Sequence, residues 1–449
     1  MAKSTRKTPL SAEEERHIGV LTQRNFAKIM PLMVIVYIIS FIDRTNIGMA
    51  KEALEADIGL SAAAYGLGAG LFFLFYAILE VPSNLIMHRV GARFWIARIM
   101  VTWGIISMLM AVVWNDVSFY VLRMLLGAAE AGLYPGMILY ISYWFTQKYR
   151  ARAIGIFLLG VSIANILGAP VAGLLLNMHG FLGLKGWQWM FIVEGLPAVL
   201  LAVLVWKFLP DRPEHAKWLS DSDKSLIHRA IANEDTGESS QHGDLRALAP
   251  AMKDGVFWLL AVIYFTHQIA VYSLSYFLPS IIKSYDPTMK TFQIGLITAI
   301  PWIAAALGSW FLPKYAVGQR RAKTMASAGF FAVAVGLAIA ALNSHNLWIA
   351  VVGFFIAASQ LFVIQSVLFT FPQQRFSGAT TAGAVAFMNM CGLFGGFLGP
   401  TVMGSLEEST GSKIAGLWFI IAAVLVGCLL VWGLKYRNAK TATPENAAK

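Results

Sequence analysis

Two acidic and two basic residues lie within apolar stretches of the sequence. Asp43 and Arg44 are adjacent in FIDRTNIG, and Arg123 and Glu130 lie seven residues apart in RMLLGAAEAGLYPG. Seven residues make two turns of an α-helix, so Arg123 and Glu130 share one helical face. Charged groups are costly in hydrocarbon and normally face a partner or a wet cavity there. These four side chains are therefore candidates for binding a charged solute within a membrane.

The chemistry of the four side chains suggests two roles. Arginine stays protonated and presents a planar fork that suits a carboxylate. A carboxylate in a partly dry site can take up or release a proton, because burial and a neighbouring arginine act on it in opposite directions. We therefore predict that Arg44 and Arg123 bind an anion and that Asp43 and Glu130 couple its movement to protons. The alternatives are a charged pair tolerated at the outer membrane boundary, for Asp43 and Arg44, and a purely structural network between two helices.

The composition is that of a membrane protein. Of the 449 residues, 57% are hydrophobic and 13% are charged, whereas a soluble domain carries about 25% charged residues. Apolar stretches of about 20 residues, long enough to cross a bilayer as helices, recur from Ile29 to Lys435. Backbone hydrogen bonds must be satisfied within the chain in lipid. We therefore predict an all-α integral membrane bundle whose partner is the lipid bilayer.

Turn residues and charges divide the apolar sequence into predicted spans. The twelve spans are residues 29–50, 62–85, 94–114, 117–140, 153–176, 189–209, 255–282, 292–313, 323–343, 346–370, 378–405 and 414–435. The predicted organisation is an N-terminal segment (1–28), a six-helix half (29–209), a linker (210–253), a second six-helix half (254–435) and a tail (436–449).

The fifth spans of the two predicted halves resemble each other. The segments ILGAPVAGLL (166–175) and FLGPTVMGSL (397–406) share small residues and a proline within one position. Coincidence is the alternative, because glycine and proline are common in membrane helices. Repeated halves would indicate a transporter whose binding site lies near the bilayer midplane between them.

Basic residues predict the orientation of the bundle. If both termini are cytoplasmic, Lys and Arg near the span ends divide roughly four to one in favour of that side. The other side holds Lys51, Lys185, Lys283, Lys290 and Lys413. We therefore predict that both termini are cytoplasmic. The net charge of +11 is spread over short runs between spans, which argues against a nucleic-acid partner.

Several classes of function are not supported by the sequence. There is no phosphate loop of the form G-x-x-x-x-G-K-[ST], and no nucleophile, metal-ligand or cofactor motif. We therefore predict neither an enzyme nor a metal or cofactor site, and expect a proton gradient to supply the energy. Cys391 and Cys428 lie in apolar spans, which favours packed thiols. An intramembrane enzyme or a sensor is the alternative from another class, but the linker is too short for an output domain.

Neutral polar residues supply further candidates for substrate contacts. Tyr76 is predicted to lie beside the charged region. The candidates in the second half are Gln268, Tyr272, Ser275, Gln360, Gln365 and Asn389. For each of these residues, the alternative is a polar group that packs helices together. Glu80 and His267 are left outside the core of the site.

Five segments of the chain resemble the anion:cation symporter family of the major facilitator superfamily. They are FIDRTNIG (41–48), LEVPSNLIMHRVGARFWIARIM (79–100), RMLLGAAEAGLYPGM (123–137), KGWQWMFIVEGLPA (185–198) and VYSLSYFLPS (271–280). The resemblance covers essentially the whole chain and implies a twelve-helix major facilitator fold with two pseudo-symmetric six-helix halves. It also implies proton-coupled uptake of a small organic anion by a protein that functions as a monomer in a bacterial inner membrane. Members of this family carry tartrate, phthalate, hydroxyphenylacetate, or sugar acids such as rhamnonate and galactonate.

The resemblance also implies roles for individual residues. The coupling and binding residues of the family match Asp43, Arg44, Tyr76, Arg123 and Glu130, and a substrate-contact position matches Asn389. An organic-anion exchanger or a proton-driven exporter is the runner-up, because the direction of transport follows the gradients.

The loop NLIMHRVGAR resembles the superfamily signature G-x-x-x-D-R-x-G-R-R. Arg89, Gly91 and Arg93 match the signature, whereas Asn84, His88 and Ala92 replace a glycine, an aspartate and an arginine. YAVGQRR (315–321) resembles a degraded second copy of this loop. Both loops are predicted to be conformational-switch elements rather than substrate contacts.

Overall fold

The structure is a computed structural model that describes residues 10–234, 248–376 and 378–434. The predicted tail (436–449) lies outside the described residues. So do several of the basic residues that predict the orientation, namely Lys3, Arg6, Lys7, Lys435, Arg437, Lys440 and Lys449.

Helices form the N-terminal half of the protein. They are α1 (Ala12–Thr45), α2 (Ile47–Ile58), α3 (Ala62–Val90), α4 (Ala92–Leu109), α5 (Asp116–Glu130), α6 (Leu133–Trp144), α7 (Gln147–Leu176) and α8 (Gly186–Phe208). The described part of the linker contains α9 (Asp221–Glu234) and α10 (Ala249–Met252).

The C-terminal half is also helical. It consists of α11 (Gly255–Tyr285), α12 (Thr291–Phe311), α13 (Gln319–Leu342), α14 (Leu347–Leu368), α15 (Thr370–Arg375), α16 (Gly378–Thr410) and α17 (Ala415–Trp432). The described residues contain no strand and include twelve helical segments long and apolar enough to cross a membrane. The predicted all-α, twelve-helix architecture is confirmed.

The even number of spans places both ends of the described chain on one face of the bundle. We call this face, which also carries the linker, the terminal face. The opposite face carries the turns that follow α2, α7, α11 and α16. Which face is cytoplasmic is part of the functional proposal below.

The first helix begins well before the predicted span. Ser11 Oγ accepts a hydrogen bond from the Glu14 amide at 3.1 Å, and Glu14 Oε2 accepts one from the Ser11 amide at 2.9 Å. This reciprocal capping satisfies two amides at the helix start. Residues 12–28, expected as a separate segment, therefore continue the first membrane helix.

The linker helix α9 docks on this extension of α1. Asp223 Oδ1 lies 2.7 Å from His17 Nε2, and Arg229 Nη2 donates to Glu14 Oε1 at 2.5 Å. Burial alone would raise the pKa of Asp223, but hydrogen bonds from His17 and Ser220 outweigh it and hold the pKa of this carboxyl below its usual range. The ionised carboxylate therefore helps to hold the linker against the N-terminal half.

The two halves contact each other through charged side chains at the opposite face. Lys51 Nζ is fully buried and lies 2.7 Å from Glu55 Oε1 and 2.7 Å from Glu407 Oε1, which belongs to the other half. Glu52 pairs with Lys413 across the same boundary. We call Lys51, Glu52, Glu55, Glu407 and Lys413 the opposite-face charge network.

Two helices also meet closely beside this network. A Cβ atom added to Gly66 on α3 would lie 2.3 Å from the Pro400 carbonyl oxygen on α16, so only glycine allows this approach. Tyr65 Oη donates to the Tyr276 carbonyl oxygen of the other half at 3.1 Å. The halves are therefore packed together at the opposite face in this conformation.

The replacement Lys51→Met should destabilise this conformation strongly. It would leave Glu407 buried without its cation. Removing one partner of a buried ion pair lowers the free energy of unfolding by about 3–5 kcal/mol. Thermal unfolding of the purified protein in detergent measures the loss. Adding Glu407→Leu should recover part of it, because the unpaired charge is then removed.

Lys185→Met is the matched control for this prediction. Lys185 Nζ lies 3.2 Å from Asp57 Oδ1, but its side chain is 40% exposed, and exposed ion pairs contribute about 1 kcal/mol or less. If Lys51→Met were as stable as Lys185→Met, the opposite-face charge network would not be a major support of this conformation.

Candidate functional site

The last turn of α1 and the last residue of α5 meet in a buried ion pair. Arg44 Nη2 donates to Glu130 Oε1, and the two side chains are 6% and 1% exposed. Ser40 Oγ donates to the same carboxylate oxygen at 2.6 Å. Glu130 Oε2 has no hydrogen-bond partner among the described residues. The predicted anion-binding Arg44 is therefore held by the predicted proton-coupling Glu130.

A break in the fourth span places Glu130 at a helix end. The predicted span 117–140 is two helices, α5 and α6, because Gly132 between them adopts the left-handed region at φ 89°, which favours glycine. A Cβ atom at Gly132 would also lie 2.3 Å from Ser83 Oγ. The C-terminal end of a helix carries partial negative charge. Arg44 and Ser40 compensate for the additional charge of Glu130 there.

Arg123 is a buried cation that pairs with no carboxylate of the described residues. It lies on α5 with Glu130 and is 1% exposed. Its Nε and Nη2 atoms donate to the carbonyl oxygens of Gly68 and Ala69 on α3, both at 3.4 Å. Within the part of the chain that the structure describes, no carboxylate oxygen lies within 4 Å of its side-chain nitrogens. Its positive charge is therefore available to an anion.

Aromatic rings surround the two arginines. The Arg44 guanidinium carbon lies 5.2 Å from the ring centroid of Tyr76, the predicted cavity residue, and 5.4 Å from that of Phe72. The Arg123 guanidinium carbon lies 4.9 Å from the Phe72 centroid and 6.0 Å from that of Tyr276 on α11. Cation–π contacts hold both guanidinium groups without neutralising them.

Asp43 faces a different part of the bundle from Arg44. Successive residues of a helix point about 100° apart, and Asp43 Oδ1 accepts a hydrogen bond from Ser107 Oγ on α4. Asp43 still interacts electrostatically with Glu130 and Arg123. The structure therefore brings Arg44, Tyr76, Arg123 and Glu130 together and places Asp43 behind them, rather than in one shared cluster. We refer to Arg44, Tyr76, Arg123 and Glu130 as the arginine cluster.

The candidates from the second half divide into two groups. Tyr272 packs on Phe73 of α3 with ring centroids 4.0 Å apart and interacts electrostatically with Arg44. Asn389 Nδ2 donates to Glu80 Oε1 of the other half at 3.4 Å, so it bridges the halves.

Gln268 and Gln365 are not brought to the arginine cluster. Gln268 lies against Gly392 and Gly395 where α11 contacts α16. Gln365 is half-buried on α14. No hydrogen bond described in the structure joins either glutamine to Arg44, Arg123 or Glu130.

The loop between α3 and α4 is held by an aspartate from elsewhere. Asp211, which follows α8, accepts a hydrogen bond from the Arg93 amide at 2.8 Å. Gly91 adopts φ 95°, and a Cβ atom there would lie 2.7 Å from Asp211 Oδ1. Arg89 is exposed. Asp211 therefore places a carboxylate in a loop whose own aspartate position is His88.

Sequence reasoning missed several residues of the site. Ser40 lies one turn before Arg44 on the same helix, so helical spacing could have identified it. Ser107, Tyr276 and Asp211 reach the site only through contacts between helices that are distant in sequence, and no local pattern marks them.

The fold and site define the class of the protein. Twelve membrane helices in two halves, with unneutralised arginine charge buried between helices, are features of a membrane transporter of small solutes of the secondary type. The family model described as Major Facilitator Superfamily matches residues 33–400, and the chain belongs to this family.

The most similar curated relatives include transporters of three bacteria. The chain is 39% identical to the inner membrane transport protein RhmT of Escherichia coli, over 95% of this chain and 98% of the relative. It is 39% identical to a putative tartrate transporter of Agrobacterium vitis, over 94% and 95%. It is 38% identical to a quinolone resistance transporter of Acinetobacter baumannii, over 93% and 95%. These relatives are consistent with the anion:cation symporter resemblance.

Solved structures share the fold at low sequence identity. A D-xylose-proton symporter matches with a TM-score of 0.72 and 15% identity, over 91% of this chain and 97% of that chain. A bacterial homologue of the human lysosomal transporter Spinster, in an inward-facing and occupied conformation, matches with a TM-score of 0.71 and 18% identity, over 90% and 96%. The relatives and the fold are those of transporters, which confirms that the protein is not an enzyme.

Proposed function

We propose that the protein imports a small organic anion together with protons, by alternating access between its two halves. The observation that carries this proposal is Arg123, a buried cation that no described carboxylate neutralises. Arg44 pairs with Glu130, whereas Arg123 has no carboxylate oxygen within 4 Å among the described residues, so the charge of Arg123 is available to an anion. A carboxylate is the group that an arginine fork binds best. The similarity to putative tartrate transporters supports an acid of this kind.

The Glu130–Arg44 pair supplies a mechanism for coupling. While Glu130 is ionised, Arg44 is held in the pair and is less available to a substrate. A proton on Glu130 removes the ionic attraction and releases Arg44 to bind an anion beside Arg123. Binding of the proton and binding of the anion then strengthen each other to the same extent. The proton gradient is therefore the driving force, and no cofactor takes part.

The direction of opening follows from the two faces. We assign the terminal face to the cytoplasm, as the basic residues predict. The opposite-face charge network then closes the external side, and substrate must reach the arginine cluster after this network separates. A bacterial inner membrane is the location that we infer from the similarity to the E. coli protein. One chain carries the complete cluster, so we propose a functional monomer.

Uptake by proteoliposomes tests this function. Tartrate, phthalate, 4-hydroxyphenylacetate, rhamnonate and galactonate are supplied outside with an inward proton gradient, and internal acid is measured by mass spectrometry. We expect at least one acid to accumulate above its external concentration and to lose this accumulation when a protonophore collapses the gradient. Equal concentrations on both sides for every acid would contradict proton-driven uptake.

Proton-driven export is the second candidate function. It is favoured by the 38% identity to a quinolone resistance transporter, and quinolones carry a carboxylate that the arginine cluster could bind. Cells that express the protein should then accumulate less quinolone than cells that express Arg123→Gln. If both cells accumulate quinolone equally while an organic acid is concentrated in proteoliposomes, the importer is retained and export is rejected.

A further inference from the structure

Another buried carboxylate lies beside Asp43, outside the Glu130–Arg44 pair. Glu194 on α8 is 5% exposed, and neither of its carboxylate oxygens makes a hydrogen bond of standard geometry among the described residues. The Asn46 side chain lies close enough for a weak hydrogen bond to Glu194, and Asp43 lies close enough to interact with it electrostatically. A buried carboxylate without a cation or a full set of hydrogen bonds is costly when it is ionised. When Glu194 is ionised, it therefore needs a positively charged group beside it, and the arginine cluster does not supply one.

Close packing of two helices brings Glu194 to this position. A Cβ atom added to Gly195 would lie 2.9 Å from the Gly104 carbonyl oxygen, so α8 and α4 approach each other closely at this level. Ser107, one turn further along α4, donates its hydroxyl hydrogen to Asp43. Three elements, α1, α4 and α8, therefore meet around Asp43 and Glu194.

Unsatisfied polar atoms of two further side chains point to the same place. Asn46, where α1 meets α2, is 3% exposed, and neither of its amide atoms makes a hydrogen bond of standard geometry in the described structure, although its side chain faces Glu194. The Nε1 atom of Trp103 is buried without a standard hydrogen bond and faces Asp43. Buried polar atoms without partners are rare in folded proteins. Both side chains offer N–H donors to the two carboxylates but no positive charge, so a small cation is still needed to balance two adjacent carboxylates.

The proton is the occupant that the surroundings favour. Among the residues that the structure describes, Asp43 is the ionisable group with which Glu194 interacts, and Asp43 also interacts with Glu130 and with Arg123. Two neighbouring carboxylates with no cation between them are not both ionised in a medium of low dielectric constant. A shared proton lets one carboxyl group donate a hydrogen bond to the other or to the Asn46 carbonyl oxygen.

We propose that Asp43 and Glu194 form a second proton site, separate from the Glu130–Arg44 pair. Its role in coupling rests on the proposed function, whereas its occupancy by a proton does not. Asp43 is adjacent in sequence to Arg44. Asn46, which faces Glu194, directly precedes α2, the helix that carries Lys51. Protonation here therefore acts on the junction between the arginine cluster and the opposite-face charge network.

Infrared spectroscopy of the full-length protein in lipid tests the occupancy directly. A protonated carboxyl group absorbs separately from a carboxylate, so the two forms are resolved at pH 7. We expect a protonated-carboxyl band that is reduced in Glu194→Gln and in Asp43→Asn. The control Asp57→Asn removes a carboxylate that contacts α8 through Trp187 Nε1 at 2.8 Å, and it should leave the band unchanged.

Two further infrared measurements can overturn the proposal. Glu194→Asp retains a carboxyl group, so the band should move rather than disappear, even if Glu194→Gln folds poorly. Replacing potassium by sodium should leave the band unchanged. A band that is identical in wild type, Glu194→Gln and Glu194→Asp would overturn the site, and a band abolished by sodium would make sodium the occupant instead.

A transport measurement separates this proposal from the proposed function. The ratio of protons to tartrate is measured from the membrane potential at which net flux stops, and Glu194→Gln should lower it by one proton. If wild type moves tartrate without protons, the proposed function fails while the infrared result stands by itself. If wild type and Glu194→Gln give the same nonzero ratio, only the coupling role of the second site is overturned.

Discussion

Replacing Arg123 by glutamine is expected to abolish anion binding and with it every mode of transport. Arg123 is buried and carries the charge that the described carboxylates leave unneutralised. Removing one partner of a buried, hydrogen-bonded charge pair costs about 2–5 kcal/mol, which corresponds to a loss of affinity of roughly 30-fold or more. Calorimetric titration with the transported acid measures the affinity, and exchange across proteoliposomes measures transport.

Arg98→Gln is the matched control for Arg123→Gln. Arg98 is also an arginine of a membrane helix in the N-terminal half, but its guanidinium carbon lies over the Trp95 ring, 3.9 Å from the centroid, outside the arginine cluster. Its loss should leave affinity within about threefold of wild type, because Arg98 does not contact the arginine cluster and distant sites couple weakly. Equal affinities for wild type and a folded Arg123→Gln would remove the basis of the proposed anion site.

Replacing Glu130 by glutamine is expected to separate transport from the proton gradient. The variant resembles the protonated form, in which Arg44 is already free, so exchange of internal for external acid should persist. Concentrative uptake should be lost, because Arg44 is free in every state of the variant, so the anion binds and crosses whether or not the second proton site is occupied. Uptake driven by a proton gradient and exchange without one, measured on the same proteoliposomes, show the difference.

The pH dependence of binding should change in the same variant. In wild type, binding of the anion is linked to binding of one proton, so affinity for the anion should rise by up to about tenfold for each unit by which the pH falls. In Glu130→Gln the contribution of this proton should disappear. The control is Asp116→Asn, which removes an acidic residue from the first turn of the same helix and should keep both the coupling and the pH dependence. A Glu130→Gln variant that still concentrates acid would assign coupling to another group.

The sequence predicts the membrane helices well because their signal is local. Length and hydropathy define each span, and helical spacing places Arg123 and Glu130 on one helix. The cap at Ser11 and the break at Gly132 also have local signals, in the SAEE and GLYPG segments. Apolar length alone sets the limits of the predicted spans and does not include either signal.

The contacts between helices are harder to predict. Arg44 and Glu130 are 86 residues apart, and only the tertiary arrangement of the whole N-terminal half brings this pair together. Lys51 and Lys413 indicate orientation when read from the sequence, but each has an acidic partner in the other half of the fold, Glu407 and Glu52 respectively. Glu194 lies in the quoted segment KGWQWMFIVEGLPA without any local feature that separates it from a boundary charge. Its environment is created by α1 and α4.

Proton entry driven by the substrate is the most direct test of the account. Wild-type protein is reconstituted with an internal pH dye, and the acid selected by the uptake panel is added outside without an imposed proton gradient. The account predicts internal acidification in wild type and none in Glu130→Gln, Arg123→Gln or empty liposomes. Entry of the acid into wild-type proteoliposomes without any acidification would contradict proton-coupled symport.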